Sequence, residues 1–187
     1  MSLFINTAQT INAARTAPKM IRTAGLIICV LLSLIVTGCN EDTPETLAAQ
    51  QAIAIETGEE CHLCGMIITN FPGPKGQLYE RGQEQNKRFC STRDMFAYLL
   101  DPEHQHNIQQ AFVHNMAVSP WDHPDEETYI DARQAWYVVG SSLKGAMGPT
   151  LASFADQPSA QKFAELNGGK LYQFSDLNLE LISSMGF

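Results

Sequence analysis

The sequence predicts an α+β fold of two similar small ββαβ-type units packed together, set behind an export leader and a tether. Three observations lead there. Short runs of β-branched and aromatic residues alternate with two stretches that carry helix caps and an apolar face. The same order of features occurs twice: strands, an aromatic-plus-small pair (Phe89-Cys90, Phe154-Ala155), a capped helix containing Phe-Ala (Phe96-Ala97, Phe163-Ala164), and a strand, with spacings that differ by two residues. Between the copies, Ser119–Thr128 is rich in Pro, Asp and Glu and marks an internal boundary. Neither half holds a core large enough for much stability alone, so the halves are expected to pack on each other.

Arg15, Lys19 and Arg22 precede an apolar run from Ala24 to Val36, too short to span a membrane, which ends in Val36-Thr37-Gly38-Cys39. A basic start, a short apolar segment and a small-residue exit make residues 1–38 an export signal, and the terminal cysteine makes it similar to a bacterial lipoprotein signal with Cys39 acylated. Residues 39–58 then form a lipid-anchored tether, acidic at first and ending in an edge strand through Ile53 and Ile55. The first unit covers 59–118. Met66–Thr69, Gln77–Glu80 and Lys87–Cys90 are its short strands, with the Phe71–Gly76 turn between the first two. Ser91 caps a helix that buries Met95, Phe96 and Leu99 and stops before Pro102, with Asp94 at the capping-box position. Ala111–Val118 alternates so that Phe112, His114, Met116 and Val118 share one strand face. The second unit, 119–187, has a strand at Ala135–Val139 and a Gly-rich loop at Leu143–Thr150. Asp156 caps its helix, Pro158 lies in the first turn, and Gly168-Gly169 ends it. A strand at Lys170–Phe174 and a last short helix at Asp176–Ser183 follow.

Composition narrows the function. Three of the twelve Lys and Arg lie in the leader and all twenty acidic residues follow it, so the mature chain carries a net charge of −11. Such a chain has nothing to offer a phosphate backbone, which excludes nucleic acid as a partner. It suits cations or a basic protein surface. The sequence has no Gly-x-Ser-x-Gly elbow, no His-Glu-x-x-His helix and no phosphate-binding loop, and a non-enzymatic role follows. Setting aside Cys29 in the leader and the acylated Cys39 leaves Cys61, Cys64 and Cys90. An odd number in an oxidising compartment leaves a thiol unpaired, available for metal or redox use.

The chemistry concentrates in Cys61-His62-Leu63-Cys64-Gly65-Met66. Thiolate and thioether sulfur select Cu(I) over hard ions, and imidazole suits copper or zinc. Haem attachment requires a histidine directly after the second cysteine, where Gly65 stands. A zinc ribbon requires a second ligand pair, and a thioredoxin-like site requires a helix where β-branched residues and Pro-Gly-Pro follow. Two readings remain open, a soft-metal site and a Cys61–Cys64 disulfide. For the metal site Cys64, Met66, Cys61 and Met116 are the first candidates. Cys90, His114, His123, Met147 and His62 complete the pool. Cys90 stands just ahead of a helix whose terminal amides favour a thiolate. Each has a packing alternative: Met116 against Phe112 and Val118, Cys90 as a small buried residue.

A lipoprotein signal ending at Cys39, Cys-x-x-Cys-Gly-Met at 61–66, Phe89-Cys90-Ser91-Thr92, Gly-Ala-Met-Gly at 145–148 and Ala-x-x-Phe…Asn-Gly-Gly at 160–169 together resemble the NosL family, accessory lipoproteins of nitrous oxide reductase. The resemblance spans the mature chain. It implies two ββαβ units similar to part of the organomercurial lyase. It also implies a periplasmic Cu(I) chaperone that supplies the copper-sulfur centre of the reductase. Apo-reductase and its membrane ABC-type maturation complex are the implied partners. By position, ligand duty falls on Cys64, Met66 and Cys61. Whether a second ion such as Zn(II) sits beside copper stays open. Asn40, where an aspartate would retain a lipoprotein in the inner membrane, favours the outer one. Two other functions use the same residues: a thiol-disulfide protein that keeps a copper enzyme's cysteines reduced, and a metal-free adaptor of the maturation complex.

Overall fold

The computed structural model describes residues 50–186; the leader, Cys39 and most of the tether lie outside them. Within the described residues the chain runs β1 (Gly76–Glu80), β2 (Lys87–Phe89), α1 (Thr92–Leu99), β3 (Ile108–His114), β4 (Tyr129–Asp131), β5 (Trp136–Val139), β6 (Lys144–Gly145), β7 (Gly148–Pro149), β8 (Ala152–Phe154), α2 (Gln157–Asn167), β9 (Lys170–Gln173) and α3 (Leu179–Ser184). One sheet has the order β2-β1-β3-β4 and another β8-β5-β9, every pairing antiparallel. The duplicated pattern is therefore topological: in each sheet the first strand of a ββαβ set is central, flanked by the second and by the strand after the helix. β4 follows the Ser119–Thr128 stretch yet pairs with β3, so the first sheet gains a strand from beyond it.

The two longer helices start where their caps dictate. The Ser91 hydroxyl accepts the Asp94 N–H and the Asp156 carboxylate accepts the Ser159 N–H. α1 buries Met95, Phe96 and Leu99 on the first sheet; Gly168, at φ +75°, ends α2. The Gly-rich loop of the second half is a hairpin, β6–β7.

The halves share one core. Phe96 of α1 meets Tyr137 of β5 edge-to-face at 5.1 Å, and Leu151, Leu177 and Ile182 join Leu78, Phe89 and Val113 in the larger apolar cluster. Polar stitches fix the register between halves. The buried Thr92 hydroxyl donates to the Leu151 carbonyl at 2.6 Å and accepts the Leu151 N–H at 3.2 Å. The Arg93 guanidinium donates to the carbonyls of Met147, Pro149 and Gly186. The Ser153 hydroxyl donates to the His114 carbonyl at 2.6 Å.

Three expectations need correction. Met66–Thr69 is no strand: after a single Glu60–Ile67 bridge the chain enters a 3-10 turn, Ile68–Asn70. β3 ends at His114, so Met116 and the 70% exposed Val118 fall beyond the strand and Phe112 and His114 alone share the expected face; Ala111 and Val113 lie on the other, opposite Leu78 and Gly76 of β1. Ala111 and Val113 win that face because it packs beneath α1, where Gly76 already lies so close that an added Cβ would stand 2.6 Å from Met95 Sδ. Finally, Ile53 and Ile55 form no edge strand. Side chains replace the ladder: Gln77 bonds both the N–H and C=O of Ile53 at 2.9 Å, and Glu126 accepts the Ile55 N–H at 2.9 Å.

Thr92→Val removes the hydroxyl that serves both backbone groups of Leu151 and leaves them buried without it. Urea unfolding is expected to show a loss of about 2 kcal/mol. Gly76→Ala, which drives a methyl into Met95, is expected to cost about 1–3 kcal/mol in the same assay.

Candidate metal centre

The hexapeptide folds back on itself. The Cys61 N–H donates to the Met66 carbonyl at 2.8 Å and the Gly65 N–H to the Cys61 carbonyl at 2.9 Å, with Gly65 in the left-handed region at φ +71°. A third bond, from the His62 N–H to the Arg88 carbonyl at 2.8 Å, ties the loop to β2. This reversal turns the Cys61 side chain inward, where it is 3% exposed, and leaves Cys64 at the surface.

Cys90 arrives from another direction. It follows β2, just ahead of the Ser91 cap, and is fully buried. Asp94, one helical turn later, faces the same point. The sulfurs of Cys61, Cys64 and Cys90 and a carboxylate oxygen of Asp94 all lie within 4.8 Å of one another. Cys64 Sγ is 3.5 Å from Cys90 Sγ, the Cys90 thiol donates to Asp94 Oδ2 at 3.1 Å, and Cys61 Sγ is 3.9 Å from that same oxygen. All three cysteines are free thiols.

The thiols differ in acidity. Hydrogen bonding from Cys90 outweighs burial at Cys61 and holds its thiol down, to about 5. That same bond, burial and the Asp94 charge push Cys90 up. Cys64 is raised, first by what burial it has. The helix-start argument for a Cys90 thiolate therefore fails: the adjacent Asp94 carboxylate and Cys61 outweigh the end amides, and the anionic sulfur is Cys61. A cluster of one anionic and two neutral sulfurs with a carboxylate beside them is a soft donor set with one member open to solvent.

A sequence model of the NosL family matches residues 52–182. The chain belongs to the NosL family. It is 44% identical over 159 residues to the copper-binding lipoprotein NosL of Stutzerimonas stutzeri, covering 85% of this chain and 82% of that one. It is 31% identical over 155 residues to the protein of the same name from Achromobacter cycloclastes, covering 81% and 78%. The crystal structure of the copper chaperone NosL from Shewanella denitrificans superposes with a TM-score of 0.69 at 53% identity, covering 70% of this chain and 97% of that one. The mixed α+β architecture is thus that of the solved Shewanella denitrificans NosL structure.

Within this NosL-family chain the candidates separate by location. Cys61, Cys64 and Cys90 come together. Met66, partly buried, is on the return arm of the loop, and its carbonyl closes the neck. It does not share a strand face with Cys64, because the chain turns at Gly65. Met116 lies elsewhere, in the smaller apolar cluster with Val138, Ala152, Phe154 and Ala160, pulled there by the bond from its N–H to the Ser153 carbonyl at 2.8 Å. Met147 packs partly buried against the larger cluster, at the hairpin that Arg93 holds. His62 is exposed, its Nε2 3.2 Å from Lys87 Nζ, and burial and that ammonium lower its pKa. His123 is exposed in the Ser119–Thr128 stretch.

His114 is fully buried, accepts the Lys75 N–H at Nδ1 and stacks on Tyr129; burial pushes its pKa down to about 3. An open groove of about 780 Å³ beside the loop is lined by Glu59, Glu60, Glu80 and Glu84 with Lys87 and Arg88, and contains no thiol.

The residue that sequence reasoning missed is Asp94. It was legible only as a cap partner, yet its i, i+4 spacing from Cys90 across a helix start places a carboxylate beside the thiol.

Because Cys61 titrates below the ordinary thiol value of 9.0, its thiolate stabilises the fold fully above about 9. That contribution shrinks as the pH falls and is gone below about 5. Thiolate absorbance near 240 nm in the reduced protein should report one cysteine at neutral pH, fade as the pH falls through about 5, and be absent from Cys61→Ser.

Proposed function

We propose that this chain is a lipid-anchored copper metallochaperone of the periplasm that holds Cu(I) at Cys61, Cys64 and Cys90. It releases the ion by ligand exchange for assembly of the copper-sulfur centre of nitrous oxide reductase. The observation that carries the reading is the gathering of three free cysteine sulfurs within 4.8 Å, two buried and one at the surface. Cu(I) is soft, accepts two- and three-coordinate thiolate geometry, and needs no hard oxygen donors. The names carried by relatives in two organisms point to copper, without an oxidation state.

Handover follows from the asymmetry of exposure. Cys61 and Cys90 grip the ion from inside, and Cys64 can yield its place to an incoming donor. Copper then moves from sulfur to acceptor without being free in solution. Asp94 holds the Cys90 thiol by a hydrogen bond, keeping that side chain aimed into the site before copper arrives. In this proposal the thioether of Met66, two residues beyond Cys64, takes the position Cys64 vacates. The acceptors in this proposal are the apo-reductase and its ABC-type maturation complex, reached from a membrane to which Cys39 fastens the tether, the outer membrane by the Asn40 argument.

An anaerobic Cu(I) titration of the exported protein against a calibrated chelator tests the site. One tightly held ion is expected, with Cys64→Ser and Cys90→Ser each weakening it by more than about tenfold, the scale that even outer-shell partners command. Met66→Ala should slow transfer to the chelator while changing affinity less. Undiminished affinity in both cysteine variants would end the proposal.

A further inference from the structure

The Cys-x-x-Cys spacing suggests that oxidation, if it occurs, joins Cys61 to Cys64. The folded geometry points to a different pair. We propose that Cys64 and Cys90 form an exchange site for disulfides, closing on each other in a reversible bridge from the loop to the start of α1 and leaving Cys61 as the free thiol.

Four features support this pairing. Cys64 Sγ and Cys90 Sγ are in contact at 3.5 Å. Cys64 is the exposed cysteine of the cluster, so a disulfide in solution meets it first; Cys61 is 3% exposed and Cys90 fully buried. Exchange at sulfur proceeds through a mixed disulfide that a second thiol attacks in line with the departing sulfur. With the reagent's half on the solvent side of Cys64, Cys90 lies on its protein side, where such an attack begins. Finally, Cys61 is held by both of its backbone groups at the hairpin neck, with its sulfur toward Asp94. Closing Cys64 onto Cys90 shortens 3.5 Å to the roughly 2.05 Å of a disulfide, a movement the exposed loop can make.

The steps balance. Cys64 sulfur attacks a disulfide R–S–S–R, forming Cys64–S–S–R and expelling one R–S group that leaves with the Cys64 proton. Cys90 sulfur then attacks Cys64 sulfur, forming the bridge and expelling the second R–S group with the Cys90 proton. The two cysteines lose two electrons and the reagent becomes two thiols. A dithiol reductant reverses both steps. The bridge itself is independent of the copper reading. Its consequence rests on that reading: two of three donors are withdrawn, so the chain must be reduced before it can load, and a loaded chain resists oxidation.

The test uses the exported protein, purified reduced and without air, then treated with oxidised glutathione and quenched with iodoacetamide. Digestion with trypsin and a glutamate-specific protease leaves Cys61 and Cys64 on one peptide and Cys90 on another, since Lys75, Arg81, Lys87 and Arg88 intervene. Mass spectrometry should find the two peptides cross-linked, with Cys61 alkylated. A bridge within the Cys61–Cys64 peptide, or glutathione retained on Cys64 with Cys90 alkylated, overturns the proposal. Cys61→Ser should still form the Cys64–Cys90 bridge, and loss of the bridge in that variant also counts against the proposal. Cys90→Ser should trap glutathione on Cys64. Loading Cu(I) beforehand should slow bridging more than tenfold; unslowed bridging would overturn the copper site and leave the bridge standing.

Discussion

The start of α1 is the constraint on which the metal centre depends. Five successive residues, Cys90 to Asp94, each have a separate partner. Cys90 meets Cys64, the Ser91 hydroxyl takes the Asp94 N–H, Thr92 serves both backbone groups of Leu151, Arg93 reaches three carbonyls beyond residue 146, and the Asp94 carboxylate accepts the Cys90 thiol. A helix can start at only one residue once its cap is set, because the first amides have no partner of their own. Ser91 sets that residue, and the sulfur before it and the carboxylate after it are placed with it. Bonds to the second half hold the helix end in place along its axis. The site is thus built in the first unit and positioned by the second.

The duplication shows why only one unit carries chemistry. The position of Cys90 in the first copy is held by Ala155 in the second. The caps are exchanged: Ser91 caps and Asp94 is the third helical residue in one, Asp156 caps and Ser159 is third in the other. In the second copy the carboxylate is spent on the cap, accepting both the Ser159 N–H and hydroxyl. In the first, a hydroxyl does that work, and the Asp94 carboxylate is left to face the thiols. One reversal of Ser and Asp distinguishes a structural helix start from a chemical one.

Burial then sorts three chemically equal thiols into different roles. Inside a protein a charge is favoured only where hydrogen bonds reach it, and the single Cys90 proton lies between the Cys61 sulfur and the Asp94 carboxylate, which carries the neighbouring negative charge. A second anion at Cys90 would stand beside both. In the proposed chaperone role, a Cu(I) cation entering the cluster would relieve that crowding, an electrostatic as well as a chemical preference for a soft positive ion. Cys64 belongs to the same cluster but is its exposed member, free to meet whatever approaches, an acceptor or an oxidant.

Much of this protein was legible in the order of its residues. Both major helices start at the caps named for them, Ser91 and Asp156, because capping and periodicity act over a few residues and need no distant partner. The Cys-x-x-Cys-Gly-Met loop and the repeated Phe-small–helix–strand pattern were likewise local. Alternation overran the strand at Ala111–Val118, where β3 stops at His114, and misled at Met66, where one left-handed glycine reverses the chain. Only the tertiary structure decided the centre itself. Cys64 and Cys90 are 26 residues apart and Cys61 and Asp94 33 apart, and no short-range rule sets such distances. They follow from docking β2 and α1 against a loop whose position depends in turn on the shared core. That docking brought Cys90 and Asp94 to the motif, sent Met116 to the other cluster, and placed the negative charge on Cys61.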